Sequence, residues 1–383
     1  RCCKIRSDQI KSQNLIDYRA LALGGALWAG ALIQSAVAPW RICAAAILLA
    51  GFAVAKSKKR LTLVLLTIMV GATAMSLRQA SLEHSVINAY LNQRVDFVAQ
   101  VKTDPTKTSS GNFSFTARLL SFTADGKSHT VRTPIRGISK NQITALPGQK
   151  IAATATALKS KEARVAALVI VNGDITLLSE PSAWASGLGA IREGLRNNSG
   201  DGDAGALIPG MVLGDTSKQS PEFKEAMKRS GLTHLVAVSG ANFALVATFL
   251  LWFLKYFVKR LRVRLYLVFF ILLIFIFLVR PTPSVLRAAV MTAVVLIAKV
   301  LGDKSFGIPS LGCAISLLVL LDPFQAIDPG FALSVLATAG ILLLPQYLNS
   351  KLERYIKIPW ILEAILIPVS ATIFCFPVII LLS

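Results

Sequence analysis

The chain has 383 residues, 54% of them hydrophobic, and a mean hydropathy of +0.60. That excludes an ordinary soluble domain and points to a multi-span membrane protein. Lys and Arg number 41 against 20 Asp and Glu, a net charge of +21, which favours anionic partners: lipid head groups or nucleic acid.

Residues 1–19 form a short N-terminal segment. Apolar runs follow near 20–38, 40–55 and 61–77, the second being the weakest. Six more lie near 233–254, 265–279, 284–301, 307–321, 330–346 and 359–382. Crossing the hydrocarbon core takes about 20 apolar residues, and the pattern predicts about nine spans. Basic residues gather at 56–60, 255–264 and 349–357, whereas the alternate turns are poor in Lys and Arg. With the basic loops inside, every span alternates consistently. The N-terminus is then cytoplasmic, and residues 78–232 face outside. Part of the positive excess is thereby a topology signal.

Residues 90–180 change character. Apolar residues alternate in Val95-Phe97-Ala99-Val101, Phe113-Phe115-Ala117-Leu119 and Ile151-Ala153-Ala155-Ala157. Asp104-Pro105, Asp125-Gly126, Pro147-Gly148 and Asn172-Gly173 supply turns. About five or six short strands fit a small β-barrel or sandwich. No Cys falls in this segment, so a disulfide is not its support. Between 78 and 190 there are 13 basic and 7 acidic residues, a balance suited to a polyanion. Lys102, Lys107, Arg118, Arg132 and Arg136 are the candidates for phosphate contact. Phe113 and Phe115 share a face and read as core, so base stacking has weak support.

Residues 181–231 read as interfacial or re-entrant helices, or alternatively as a plain linker. Ala204–Leu213 is apolar but too short to cross. Ser220-Pro221 is an N-cap and first-turn Pro, opening an amphipathic helix that Gly231 is suited to end.

The chain has three His, and neither a metal-ligand cluster nor a nucleotide-binding loop is legible. Val238-Ser239-Gly240 lacks the first Gly of a nucleophile elbow. The sequence is therefore read as non-enzymatic and without a cofactor.

Polar residues inside apolar runs draw a functional reading instead. His234, Ser239 and Asn242 sit in the run that begins near 233. At about 100° per residue a straight helix would not aim all three at one place; a break at Gly240 would. The competing role of Gly240 is close helix packing. Arg287 lies near the outer end of a span. It reads either as a snorkelling cation or as a phosphate contact on an aqueous path, with Arg280 extending the same basic mouth. Asp215, Asp322 and Asp328 fall outside and suit helix caps or Arg partners. Asp328-Pro329 fits a cap with a first-turn Pro, and Asp215 suits Arg287 or the mouth helices.

Gly231-Leu-Thr-His234-Leu-Val-Ala-Val-Ser239-Gly240 resembles the signature of the ComEC family of competence proteins. Gly210, Leu213-Gly214-Asp215, Leu286-Arg287-Ala288 and Asp328-Pro329-Gly330-Phe331 with Leu333-Ser334 fit the same pattern, in order, across residues 20–383. Asn242 stands where the family usually has a second His. The resemblance implies a polytopic α-helical membrane protein of the plasma membrane with an inserted extracellular OB-like β-barrel at 78–180 and a competence-type channel domain at 232–383. It implies passage of single-stranded DNA inward during natural transformation, by binding and conduction. The partners it implies are DNA-delivery proteins outside, a cytoplasmic translocase or strand-binding protein inside, the lipid bilayer and further copies of the chain. Many relatives carry a C-terminal metallo-β-lactamase-like domain; this sequence stops before one and is expected to be a fragment. The rival readings are a secondary transporter of a small anion and a membrane-embedded hydrolase.

Overall fold

The computed structural model describes residues 18–35, 58–103, 105–108, 111–216, 218–230, 232, 240–279, 283–301, 307–352 and 359–382. The protein is mostly helical, with one mixed β-sheet, and divides into two compact units. One draws on 77–242 and 271–285; the other draws on 1–76, 243–270 and 286–383.

The first unit contains the sheet. Its strands are β1 (Arg94–Val101), β2 (Thr106–Lys107), β3 (Phe113–Ala124), β4 (Lys127–Ser139), β5 (Lys150–Lys159), β6 (Ala167–Val171) and β7 (Thr176–Leu177). Two of the seven are only two residues long, so the five long strands match the expected number. Ahead of the strands a helix runs on to Glu83 and a 3-10 turn covers Val86–Tyr90. Hydrogen-bonded neighbours run β1-β3-β4-β6-β5, and β1 also pairs β5, so the ladder closes on itself. All of these pairings are antiparallel except β4 with β6. Register shifts at Val98/Ala99 and Leu119/Ser121 add the local coiling that closure requires.

Period-two alternation decides which side chains fill the interior. Val95, Phe97, Ala99 and Val101 of β1 are buried, as are Phe115, Ala117 and Leu119 of β3 and Ile151, Ala155 and Ala157 of β5. Each large side chain buried there contributes about 1.5–3 kcal/mol. Gly137 lies opposite Phe115, and a Cβ at Gly137 would run into the Phe115 ring. The β3–β4 turn is Asp125-Gly126 with both φ positive, at 50° and 73°, the pairing a tight hairpin demands.

Three helices follow in the same unit: α3 (Ala183–Asn198), α4 (Gly202–Leu213) and α5 (Pro221–Arg229). Ser220 caps α5 through Phe223 N–H at 3.1 Å, with Pro221 in its first turn. Ser220 also donates its hydroxyl to Asp203 Oδ2, and its N–H goes to Oδ1. Lys218 Nζ donates to the Arg196 carbonyl at 2.7 Å. The segment is thus a cross-bonded helical group rather than a linker.

The second unit is helical. Its elements include α1 (Arg19–Gln34) and most of α2 (Lys58–Glu83), together with α9 (Gly307–Leu321), α10 (Pro329–Leu352) and α11 (Pro359–Leu382). The helices α6 (Gly240–Leu254), α7 (Leu261–Val279) and α8 (Pro283–Leu301) each contribute their larger part to it, or half in the case of α7. Glycines bring the backbones together. A Cβ on Gly24 of α1 would lie 2.5 Å from the Gly312 carbonyl of α9. Gly71 of α2 meets the Leu27 carbonyl of α1, and Gly340 of α10 meets the Ser370 carbonyl of α11. Among the described residues, 61–90 and 261–279 are long and apolar enough to cross a membrane. The other apolar helices are shorter, and the expected run at 40–55 lies outside the described residues.

Candidate functional site

Each residue of the Asp328-Pro329-Gly330-Phe331 sequence has a local task. Asp328 precedes α10, and its Oδ1 accepts from Gly330 N–H at 2.8 Å and Phe331 N–H at 3.3 Å, satisfying orphan donors of the first turn. Pro329 opens the helix, where its missing N–H costs nothing. Phe331 is buried edge-on against Trp28 of α1, ring centres 5.2 Å apart. Trp28 donates its indole N–H to the Ala326 carbonyl at 3.0 Å. Asp322 caps the preceding 3-10 turn, Pro323–Ile327, through Phe324 N–H. Ser334 lies one turn into α10, where its carbonyl accepts from the Thr338 hydroxyl.

Arg287 of α8 closes this arrangement. Its side chain is 9% exposed, and Nη1 lies 3.8 Å from Asp328 Oδ2. A Cβ on Gly330 would sit 2.9 Å from Arg287 Nη2. The guanidinium therefore rests on the N-terminal turn of α10. A cation there faces the positive end of the helix, and the Asp328 carboxylate offsets that.

The Leu213-Gly214-Asp215 sequence is built with similar economy in the other unit. Leu213 is buried. Gly214 ends α4 in the left-handed region at φ 70°, donating to the Gly210 and Pro209 carbonyls. Asp215 is buried, and its Oδ2 accepts from Arg196 Nε at 2.7 Å. Of the two partners suggested for Asp215, the mouth helices supply this one, since Arg196 is on α3. Asn242 donates from Nδ2 to the Met211 carbonyl at 3.2 Å, tying the start of α6 to the last turn of α4. Gly240 is the first residue of α6. His234, Ser239, Gly231 and Arg280 lie outside the described residues.

The register of the sheet brings four of the five basic candidates to one outer face. Lys150, Gln100, Arg118 and Pro134 form one cross-strand row over β5, β1, β3 and β4. Thr116 and Arg136 pair in the next row, where Lys102 N–H bonds to the Thr116 carbonyl at 2.9 Å. Arg132 shares the face by parity with Pro134 and Arg136 along β4. Lys107 is exposed as well, but it pairs with Phe113, on the alternate parity of β3 from Thr116 and Arg118. Arg136 is engaged by Glu162 and donates to Ser114 Oγ. Burial first, and the neighbouring Arg118 charge second, hold the Lys102 ammonium below the ordinary lysine pKa. Two like charges set side by side raise the electrostatic potential that an anion would relieve. The sheet's aromatic side chains serve its interior: Phe97, Phe115 and Phe122 are core, and Phe122 stacks on His129, which bonds Tyr90. Among the described residues no group of three His, Cys, Asp or Glu could hold a metal ion.

Sequence reasoning missed Arg196, Arg192 and Trp28. The i, i+4 spacing of Arg192 and Arg196 on an amphipathic helix was the available signal.

Residues 211–383 match the family model described as Competence protein. This stretch covers the Asn242, Arg287 and Asp328 environments. Over that stretch the chain is similar to competence proteins. ComE operon protein 3 of Bacillus subtilis (strain 168) is 25% identical over 142 residues, a match that takes in 37% of this chain and 18% of that protein's length. No solved structure matches.

Proposed function

We propose that this chain conducts single-stranded DNA inward across the plasma membrane during DNA uptake for transformation. The observation that carries the reading is the competence-family match over 211–383. Its motifs form the buried helix junctions described above. The β unit fits as an external DNA-collecting domain. Its five long strands close in the order 1-2-3-5-4 with strands three and five parallel, which supports an OB-like barrel. Its basic row supports sequence-independent phosphate contact.

In this reading the described helices and the 40–55 run make about nine spans. Loop charge supports a cytoplasmic N-terminus and an extracytoplasmic β domain. His234, Ser239 and Asn242 line the path where the apolar run is interrupted, and Arg280 contributes to its mouth. Arg287 keeps α8 seated on α10, so the path has fixed walls. The work is binding and conduction, without a catalytic residue or a cofactor. A delivery protein outside hands over the strand, and a cytoplasmic translocase draws it in. The test is accumulation of nuclease-protected labelled DNA in cells carrying the gene, its deletion, or point variants. Loss of protected DNA with surface binding intact supports the reading. Undiminished uptake in the deletion strain overturns it.

A further inference from the structure

The helix α3 has apolar side chains at Trp184, Leu188, Ile191 and Leu195. At about 100° per residue that spacing confines them to one narrow stripe. Trp184 is 75% exposed and Ile191 58% exposed, with Leu188 and Leu195 half-buried, so protein covers the stripe only in part. Ser186, Ala190 and Glu193 occupy the opposite side. Arg192 lies on the flank and is buried. Its Nε donates to the Leu278 carbonyl at 2.8 Å, and its Nη2 to the Phe277 carbonyl at 2.5 Å.

Those two carbonyls belong to the last turn of α7. A helix C-terminus has unpaired carbonyls and partial negative charge, so a guanidinium satisfies it in two ways. At 1.5 Å per residue the 19-residue α7 is about 28 Å long, close to the hydrocarbon thickness of a bilayer. Its last turn therefore ends at the membrane boundary, and a helix bonded to that turn is held at the same level. A Trp-led apolar stripe at that level suits the zone between head groups and acyl chains.

We infer that α3 is a membrane-interface anchor. Its stripe enters the outer leaflet, and Arg192 fixes its depth by gripping the end of α7. This rests on α7 being a span, as in the reading above. The partner is the lipid surface itself, not a second protein.

The test uses the full chain in nanodiscs of phosphatidylcholine and phosphatidylglycerol. Its five native Cys are replaced by Ser, and single spin labels are placed by Trp184→Cys, Ile191→Cys, Ser186→Cys, Glu193→Cys and Ile274→Cys. Collision rates with oxygen and with a water-soluble nickel chelate are compared. Labels at 184 and 191 should be oxygen-rich, and those at 186 and 193 nickel-accessible. The label at 274, on an exposed position of α7, should be oxygen-rich and protected from nickel. Nickel access at 184 and 191, or shielding from both reagents as a protein partner would give, overturns the anchor while the 274 label still reports a span. Failure at 274 itself overturns the membrane reading of α7 and the anchor with it. Adding Arg192→Gln should move the 184 label toward water; an unchanged depth removes Arg192 as the positioning residue.

Discussion

Arg287 Nη1 lies 3.8 Å from Asp328 Oδ2, while Asp328 Oδ1 accepts the Gly330 N–H at 2.8 Å. One carboxylate thus caps α10 and holds a cation from α8. The two helices meet through a polar joint in which the guanidinium lies close to Gly330, where a Cβ would come within 2.9 Å of Nη2.

Asp328→Ala should cost more than Arg287→Ala. It removes a cap worth about 1 kcal/mol and also takes a carboxylate from a largely buried cation. Asp328→Asn should retain the cap part. Thermal unfolding of the detergent-solubilised chain gives the order, and the Arg287→Ala/Asp328→Ala double variant should lose less than the sum.

Arg196→Ala should destabilise more than Asp215→Ala. The Asp215 side chain is 6% exposed, against 29% for Arg196. Losing Arg196 leaves a buried carboxylate short of its cation, whereas Arg196 left alone can reach water. Gly214→Ala, at φ 70°, should cost about 1 kcal/mol through left-handed strain alone. Chemical denaturation of the three variants separates these effects.

DNA binding by the whole chain should depend on Lys102 and Arg118. Each Ala substitution should lower the slope of log affinity against log salt by about 1, equally for all sequences. The Lys102 pKa lies below the lysine norm, so binding should weaken as pH rises through it, earlier than for an ordinary Lys. Lys102→Arg should abolish that alkaline loss. Without DNA the sign reverses. A depressed Lys pKa makes charged Lys102 a cost to the folded state below that pKa, and the cost fades as pH rises. Fluorescence anisotropy with a labelled oligonucleotide at several salt and pH values checks this.

Gly24→Val should disrupt the α1–α9 contact, since its Cβ would meet the Gly312 carbonyl at 2.5 Å. Gly187→Ala on α3, where a Cβ meets nothing within 4 Å, should stabilise by up to about 1 kcal/mol. Yield and melting temperature in detergent distinguish them.

Periodicity made the strands legible: the alternation at Val95–Val101 sets the buried face of β1. Cap chemistry was equally plain at Ser220-Pro221 and Asp328-Pro329, because capping is local in sequence. Long-range pairing was not. Arg196 meets Asp215 from 19 residues away, and Trp28 meets Ala326 across 298. No local pattern encodes those distances. The run of the helix past residue 77 was hidden because Arg78, Gln79 and Glu83 break the apolar run without breaking the helix. Lys107 was grouped with the other basic candidates by charge, whereas strand parity sets it apart.

The most direct measurement is the amount of labelled DNA that becomes protected from external nuclease in a transformable strain. Cells with the intact gene are compared with its deletion and with Asn242→Leu. The expected result is surface binding in all three strains, with protected DNA absent from the deletion and reduced in Asn242→Leu at equal protein level. Protected DNA at the intact level in the deletion strain would contradict the channel reading.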